Sequence, residues 1–181
     1  MISVGLVYDE TNQIEKELSR LLHHLEQQGA RILHTHVSLD EDGEKWVESH
    51  QKEMDCALLT RYYYGEVSIC LTACHETKEI PIGISIQKEQ QFFGFVLSFN
   101  EMRFEEVGID RLEDIAIQFI QQLTDVTCFQ YAFCDYDSEI ELHPKQKKQI
   151  DSGYAIVYWH GEEVMKNSWK IDGLTARGKE E

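Results

Sequence analysis

The sequence predicts a single α+β domain: a mixed β-sheet, begun by a βαβ unit and continued as an antiparallel meander, with helices mainly on one face. Three observations carry that prediction. An apolar N-terminal run is followed by a helix-period stripe and an alternating run. Three alternating runs separated by short polar turns then occupy residues 66–99. A second helical stripe and two further strand-like runs complete the order. The length of 181 residues suits one domain with a substantial core. A division near residue 60 would leave a very small first half. Residues 1–169 are therefore read as the domain and 170–181 as a polar, frayed tail.

The elements follow in order. Ile2 to Tyr8 reads as a buried strand. Asp9 to Asn12 offers N-caps, and Ile14, Leu18, Leu21, Leu22 and Leu25 line one face of a helix, with Gly29 as its C-cap. Arg31 to Leu39 alternates, with Ile32, His34, His36 and Ser38 on one face, and is expected to pair in parallel with the first strand. Asp40 to Glu44 is an acidic turn favouring a helix start, and Trp46, Val47, His50 and Met54 give a modest helical stripe. Cys56 to Thr60 reads as a doubly buried strand.

In the meander, Val67, Ile69, Leu71 and Ala73 share a parity, as do Ile82, Ile84 and Ile86, and Phe93, Phe95, Leu97 and Phe99. Pro81 falls near a strand start, where its missing donor costs little. Asp110 with Glu113 resembles a capping box ahead of Leu112, Ala116, Phe119, Ile120 and Leu123. Cys128 to Cys134 and Tyr154 to Trp159 are strands. The charged stretch between them holds a short helix around Lys145 to Ile150.

Charge is the feature that points outward. Seventeen Lys and Arg oppose 33 Asp and Glu, a formal net charge of -16 spread over the chain without an acidic tail. Such a domain repels itself and attracts basic surfaces. Nucleic-acid binding is disfavoured, since Lys145, Lys147 and Lys148 form the one basic cluster. With 42% hydrophobic residues the chain is too apolar for disorder. The N-terminus lacks a basic leader with a cleavage site, and no run approaches a membrane span of about 20 residues. Five cysteines without framework spacing suit a reducing compartment, so a cytoplasmic protein is expected.

Catalytic and cofactor motifs are missing. There is no G-x-S-x-G, no G-x-G-x-x-G and no G-x-x-x-x-G-K-[ST], so no cofactor is expected. Cys70 and Cys74, followed by His75, come nearest to a metal signature. In a strand they would stand about 13 Å apart, too far to share an ion. Small buried core residues are the simpler account. His34 and His36 would lie about 6.6 Å apart on one strand face, a metal pair only if a third ligand joined them. No metal site is assigned. Asp135, Asp137, Glu139 and Glu141 would project together if extended, without the turn glycine of a calcium loop.

Tyr62, Tyr63 and Tyr64 cannot all face one core. They are either an edge strand under a loop or a binding surface, since tyrosine brings area and a polar tip to interfaces.

Length, acidity, the empty motif list and the strand-first start Ile2-Ser3-Val4-Gly5-Leu6-Val7-Tyr8 resemble the immunity proteins of bacterial polymorphic toxin systems. That resemblance implies a non-enzymatic protein that binds a cognate toxin domain, often a nuclease, and blocks it. A basic protein partner is then expected, rather than nucleic acid or membrane. The partner-binding residues would be Asp40, Glu41, Asp42 and Glu44, then Asp135, Asp137 and Glu139, with Tyr62, Tyr63 and Tyr64 as anchors. Two alternatives stand beside it: a metal-assisted enzyme using His34, His36 and distant carboxylates, and a module with a small-molecule pocket.

Overall fold

A computed structural model describes residues 1–9, 13–50, 55–72, 79–99 and 108–171. The first strand, β1 (Ile2–Tyr8), is buried along its whole length. Helix α1 (Ile14–Gln27) buries Leu18, Leu21, Leu22 and Leu25, the expected stripe, and ends where Gly29 takes φ 90°. Residues 10–12 of the expected N-cap region lie outside the described residues.

Strand β2 (Ala30–Ser38) carries an irregularity between Ile32 and His34. This bulge separates residues expected on one face. Ile32 packs on the main core, while His34, His36 and Ser38 pair with Ser68, Glu66 and Tyr64 on the other side.

Trp46 to Ser49 forms β3, a strand and not a helix. Asp40 closes the preceding turn, its Oδ1 accepting from Glu44 N at 2.8 Å and Lys45 N at 3.3 Å. The resulting hairpin pairs Val37 with Val47, and the Trp46 ring stacks on His36 at 4.1 Å. Cross-strand contacts thus override a weak 3.6-residue pattern. Met54 of that pattern lies outside the described residues.

Cys56–Arg61 forms helix α2, where the sequence predicted a strand. Asp55 caps it by accepting from Leu58 N at 3.1 Å, and Leu59 is its one buried side chain. An apolar run this short does not separate the two periods.

The meander is formed by β4 (Tyr64–Thr72), β5 (Glu79–Lys88) and β6 (Phe93–Phe99), with Val67, Ile69, Ile82, Ile84, Ile86, Phe93, Phe95 and Leu97 in the core as expected. Ala73 falls outside the described residues, as do Cys74 and His75. Helix α3 (Ile109–Leu123) starts after Gly108 without a side-chain cap bond, and Glu113 turns inward. The expected capping box is therefore not formed. Strand β7 (Tyr131–Tyr136), helix α4 (Lys147–Gly153), β8 (Ile156–Trp159) and β9 (Met165–Lys166) complete the order.

Among the described residues nine strands form one sheet in the order β3-β2-β4-β5-β6-β1-β7-β8-β9, every pairing antiparallel. The parallel β1–β2 pair expected from sequence does not form. β6 and β7 occupy both edges of β1, and β4, β5 and β6 stand between β1 and β2. Short hairpin connections favour neighbours in sequence, so the meander zips together and inserts there.

Helices α1, α2 and α3 bury their apolar residues in the core on one face with Ile2, Val4 and Leu6. Only α4 joins the second, smaller cluster on the other face, through Ile150. Helices thus lie mainly on one side, as expected for this α+β domain. Among the described residues no helix is long and apolar enough to cross a membrane. Residues 172–181 of the expected tail lie outside the described residues.

Candidate functional site

The described residues cover the second face of the sheet over only part of its width. Ile140, Ile150 and Tyr154 pack there on Val7, Phe133 and Val157, closing the face over β7, β8 and the Val7 end of β1. Over β4 and β5 the same face borders a cavity of about 870 Å³. Its floor is made of small residues in register: Ser68 on β4 opposes Gly83 on β5, which opposes Ser98 on β6, which opposes Ser3 on β1. These are the residues alternating with the core isoleucines and phenylalanines.

Residues 137–141 form one wall. Ile140 anchors them over Gly94, and Ile140 N donates to Gln87 Oε1 at 2.9 Å. Leu33, His34 and Tyr64 form the other wall. Trp46 meets Tyr64 edge to face at 5.7 Å, extending the aromatic rim toward the β2–β3 hairpin. Among the described residues, the Asp, Glu, Lys and Arg side chains lining the cavity are Glu66, Asp137, Glu139 and Glu141 against Lys170. Burial, then the Glu66 charge and its hydrogen bond, push the Tyr64 hydroxyl up to about 12.

The expected partner-binding residues have separate fates. Asp137 and Glu139 line the cavity, and both are exposed. Asp137 has φ 46°, which ends the extended run that would have set four acids side by side. Asp135 is fully buried. Its Oδ1 accepts from Tyr136 N at 2.7 Å and Lys170 N at 3.0 Å, and its Oδ2 from Ala155 N at 3.0 Å. Those bonds pin β7 to β8 and to the chain near Lys170, so this carboxylate has no surface to offer a partner. Burial raises its pKa, against the opposing pull of the three amides.

At the hairpin tip Glu41, Asp42 and Glu44 are exposed, while Asp40 is partly buried and holds the turn. Tyr62 packs against the main core, Tyr63 is 61% exposed, and Tyr64 lines the cavity. The three tyrosines therefore divide between core, surface and site.

His34 and His36 do share the open face, but in different company. His34 Nε2 and Ser68 Oγ share a hydrogen bond of 3.1 Å, and His36 lies under Trp46. Among the described residues no three His, Cys, Asp or Glu side chains converge as metal ligands. Nor does any described carboxylate hydrogen-bond to the second nitrogen of His34, the contact that would orient a Ser–His base.

Leu33, Trp46, Glu66, Glu141 and the serine floor belong to the site and were not among the residues expected to bind. Strand parity was the available signal. If Ile82, Ile84 and Ile86 face the core, then Gly83, Ser85 and Gln87 face away from it.

These features define an α+β protein with a half-covered antiparallel sheet whose open face is concave and walled by carboxylates. A family model described as Immunity protein 64 matches residues 2–177, and the chain belongs to that family of immunity proteins. Membership carries a toxin-neutralising binding role. No curated protein and no solved structure matches the chain.

Proposed function

We propose that this chain neutralises a basic bacterial toxin domain, a nuclease, by covering it with an acidic surface and without catalysing a reaction. The observation that supports this most strongly is the concave face, where among the described residues Glu66, Asp137, Glu139 and Glu141 outnumber Lys170 in a chain of net charge -16. A nuclease holds phosphates on a basic surface, and an acidic inhibitor occupies that surface and is steered to it. Glu41, Asp42 and Glu44 add a second acidic patch at the hairpin tip. Tyr64 and Trp46 supply aromatic anchors between the two, and Tyr63 is a further exposed ring. Inhibition takes place in the cytoplasm, and no cofactor takes part.

The test takes a toxin domain captured with this chain as bait from its own source, with affinity measured over a range of salt concentrations. Two reversals are compared: Glu139→Lys with Glu141→Lys, and Glu41→Lys with Asp42→Lys and Glu44→Lys. Each is expected to weaken binding about tenfold or more, and rising salt should weaken the unaltered complex. Asp40 is left intact because reversing it would break the turn. Affinity indifferent to salt and to both reversals would exclude an acidic docking face.

A further inference from the structure

Building on that function, the geometry points to a basic amphipathic helix of the toxin as the element that lies on the open sheet face, across β4 and β5. The first reason is backbone pairing. β4, β5 and β6 are each hydrogen-bonded on both sides. An extended segment laid on this face would find no ladder groups and would leave its own backbone unpaired. A helix satisfies its backbone internally and needs only a surface.

Size agrees. From β2 to β6 there are three strand spacings, which is about 14 Å at ~4.8 Å each. A helix with side chains is about 10 Å across or slightly more. The row Ser68, Gly83 and Ser98 keeps the floor low between the 137–141 wall and the aromatic rim, so a helix can approach the strands closely. The opposite face already carries α1, α2 and α3, and a helix here would complete a third layer.

Charge selects the occupant. Glu66 stands on the floor with its carboxylate over Gly83, and Glu139 and Glu141 flank it; together they match a helix bearing Lys or Arg. Trp46, stacked on His36 and 41% exposed, offers a guanidinium an aromatic partner at the rim. A second copy of this chain is disfavoured, because it would bring another net charge of -16 to an acidic face.

The experiment blocks the floor without altering charge. Ser85→Trp fills the cavity, and Gly83→Val does so more mildly, its Cβ standing 3.3 Å from Glu66 Oε1 at the end of a flexible side chain. Aromatic and β-branched residues suit strand positions, and thermal unfolding verifies each variant's fold. With the toxin domain as ligand, Ser85→Trp should reduce affinity by about 100-fold and Gly83→Val by less. Amide exchange on the complex should show protection of one Lys- or Arg-bearing toxin helix.

Unchanged affinity in both folded variants would overturn the helix proposal. So would protection of an extended toxin segment together with the β3 edge, or a self-dimer that Ser85→Trp dissociates. If the Glu139→Lys, Glu141→Lys variant loses binding while the blocked variants retain it, acidic docking stands and the helix falls. If none of these variants loses binding, both fall.

Discussion

The indole N–H of Trp169 donates to Glu113 Oε1 at 2.9 Å, joining the chain near the end of the described residues to the second turn of α3. The other oxygen, Oε2, lies 3.2 Å from Lys166 Nζ. Glu113 is fully buried while the Lys166 side chain is 38% exposed, so the ammonium keeps part of its hydration. Breaking a buried pair from one side leaves a desolvated group without its partner. Glu113→Ala should therefore cost about 3 kcal/mol, and Glu113→Gln, which still accepts from the indole, about 1 kcal/mol. Urea denaturation midpoints test the difference; equal losses in the two variants would mean the indole bond adds nothing to the ion pair, and no loss in Glu113→Gln would mean the ion pair contributes nothing.

Asp135 gives a pH dependence of definite sign. Its folded pKa is raised by burial above the ordinary value of 3.8, so between those two values the folded state holds more protons than the unfolded state. The contribution of this group to stability is greatest below the unfolded value and falls as pH rises through the folded one. Asp135→Asn removes that component. Subtracting the variant's stability from that of the unaltered protein, across the acid range, should give a difference that declines with pH. A difference that grows with pH would reverse the assignment.

Gly94 holds the wall of the cavity in place. A Cβ there would overlap Ile140 Cδ1 and the carbonyl oxygen of Leu6, the latter fixed in the β1 backbone. Gly94→Ala should cost about 2 kcal/mol by overpacking. It should also lift residues 137–141, speeding amide exchange at Ile140, whose N–H donates to Gln87. Destabilisation without faster exchange at Ile140 would separate the two effects and reject the anchoring role.

Tyr64 reports on the cavity directly. Its ionisation, pushed up to about 12 first by burial and then by Glu66, should be visible as a late step in an ultraviolet titration. Glu66→Gln removes a nearby negative charge and should bring that step to lower pH. Tyr64→Phe identifies it by deleting it. A step unmoved by Glu66→Gln would mean that the two groups do not interact across the 3.4 Å separating Tyr64 Oη from Glu66 Oε2.

Much of the fold was legible because burial is written residue by residue. Leu18, Leu21, Leu22 and Leu25 disclosed α1, and alternating isoleucines and phenylalanines disclosed β5 and β6. The same alternation contained the cavity floor, although serines and glycines attract attention only once the opposite parity is known to be buried. Local patterns misled where they were short or weak. Residues 56–61 form a helix through the Asp55 cap, and residues 46–49 form a strand through pairing with β2.

The acids show most clearly where sequence stops. The net charge of -16, the single α+β domain and the sets of residues bound for the core follow from the sequence alone, since each depends on residue type and local spacing. Tertiary structure decided that Asp135 and Glu113 are buried while Glu139 and Glu141 line an open face. It also decided that β1 lies between β6 and β7 and that the described residues cover one sheet face over only part of its width. Those outcomes depend on contacts between residues far apart in the chain, such as Asp135 with Ala155 and Ile140 with Gly94, which no local period encodes.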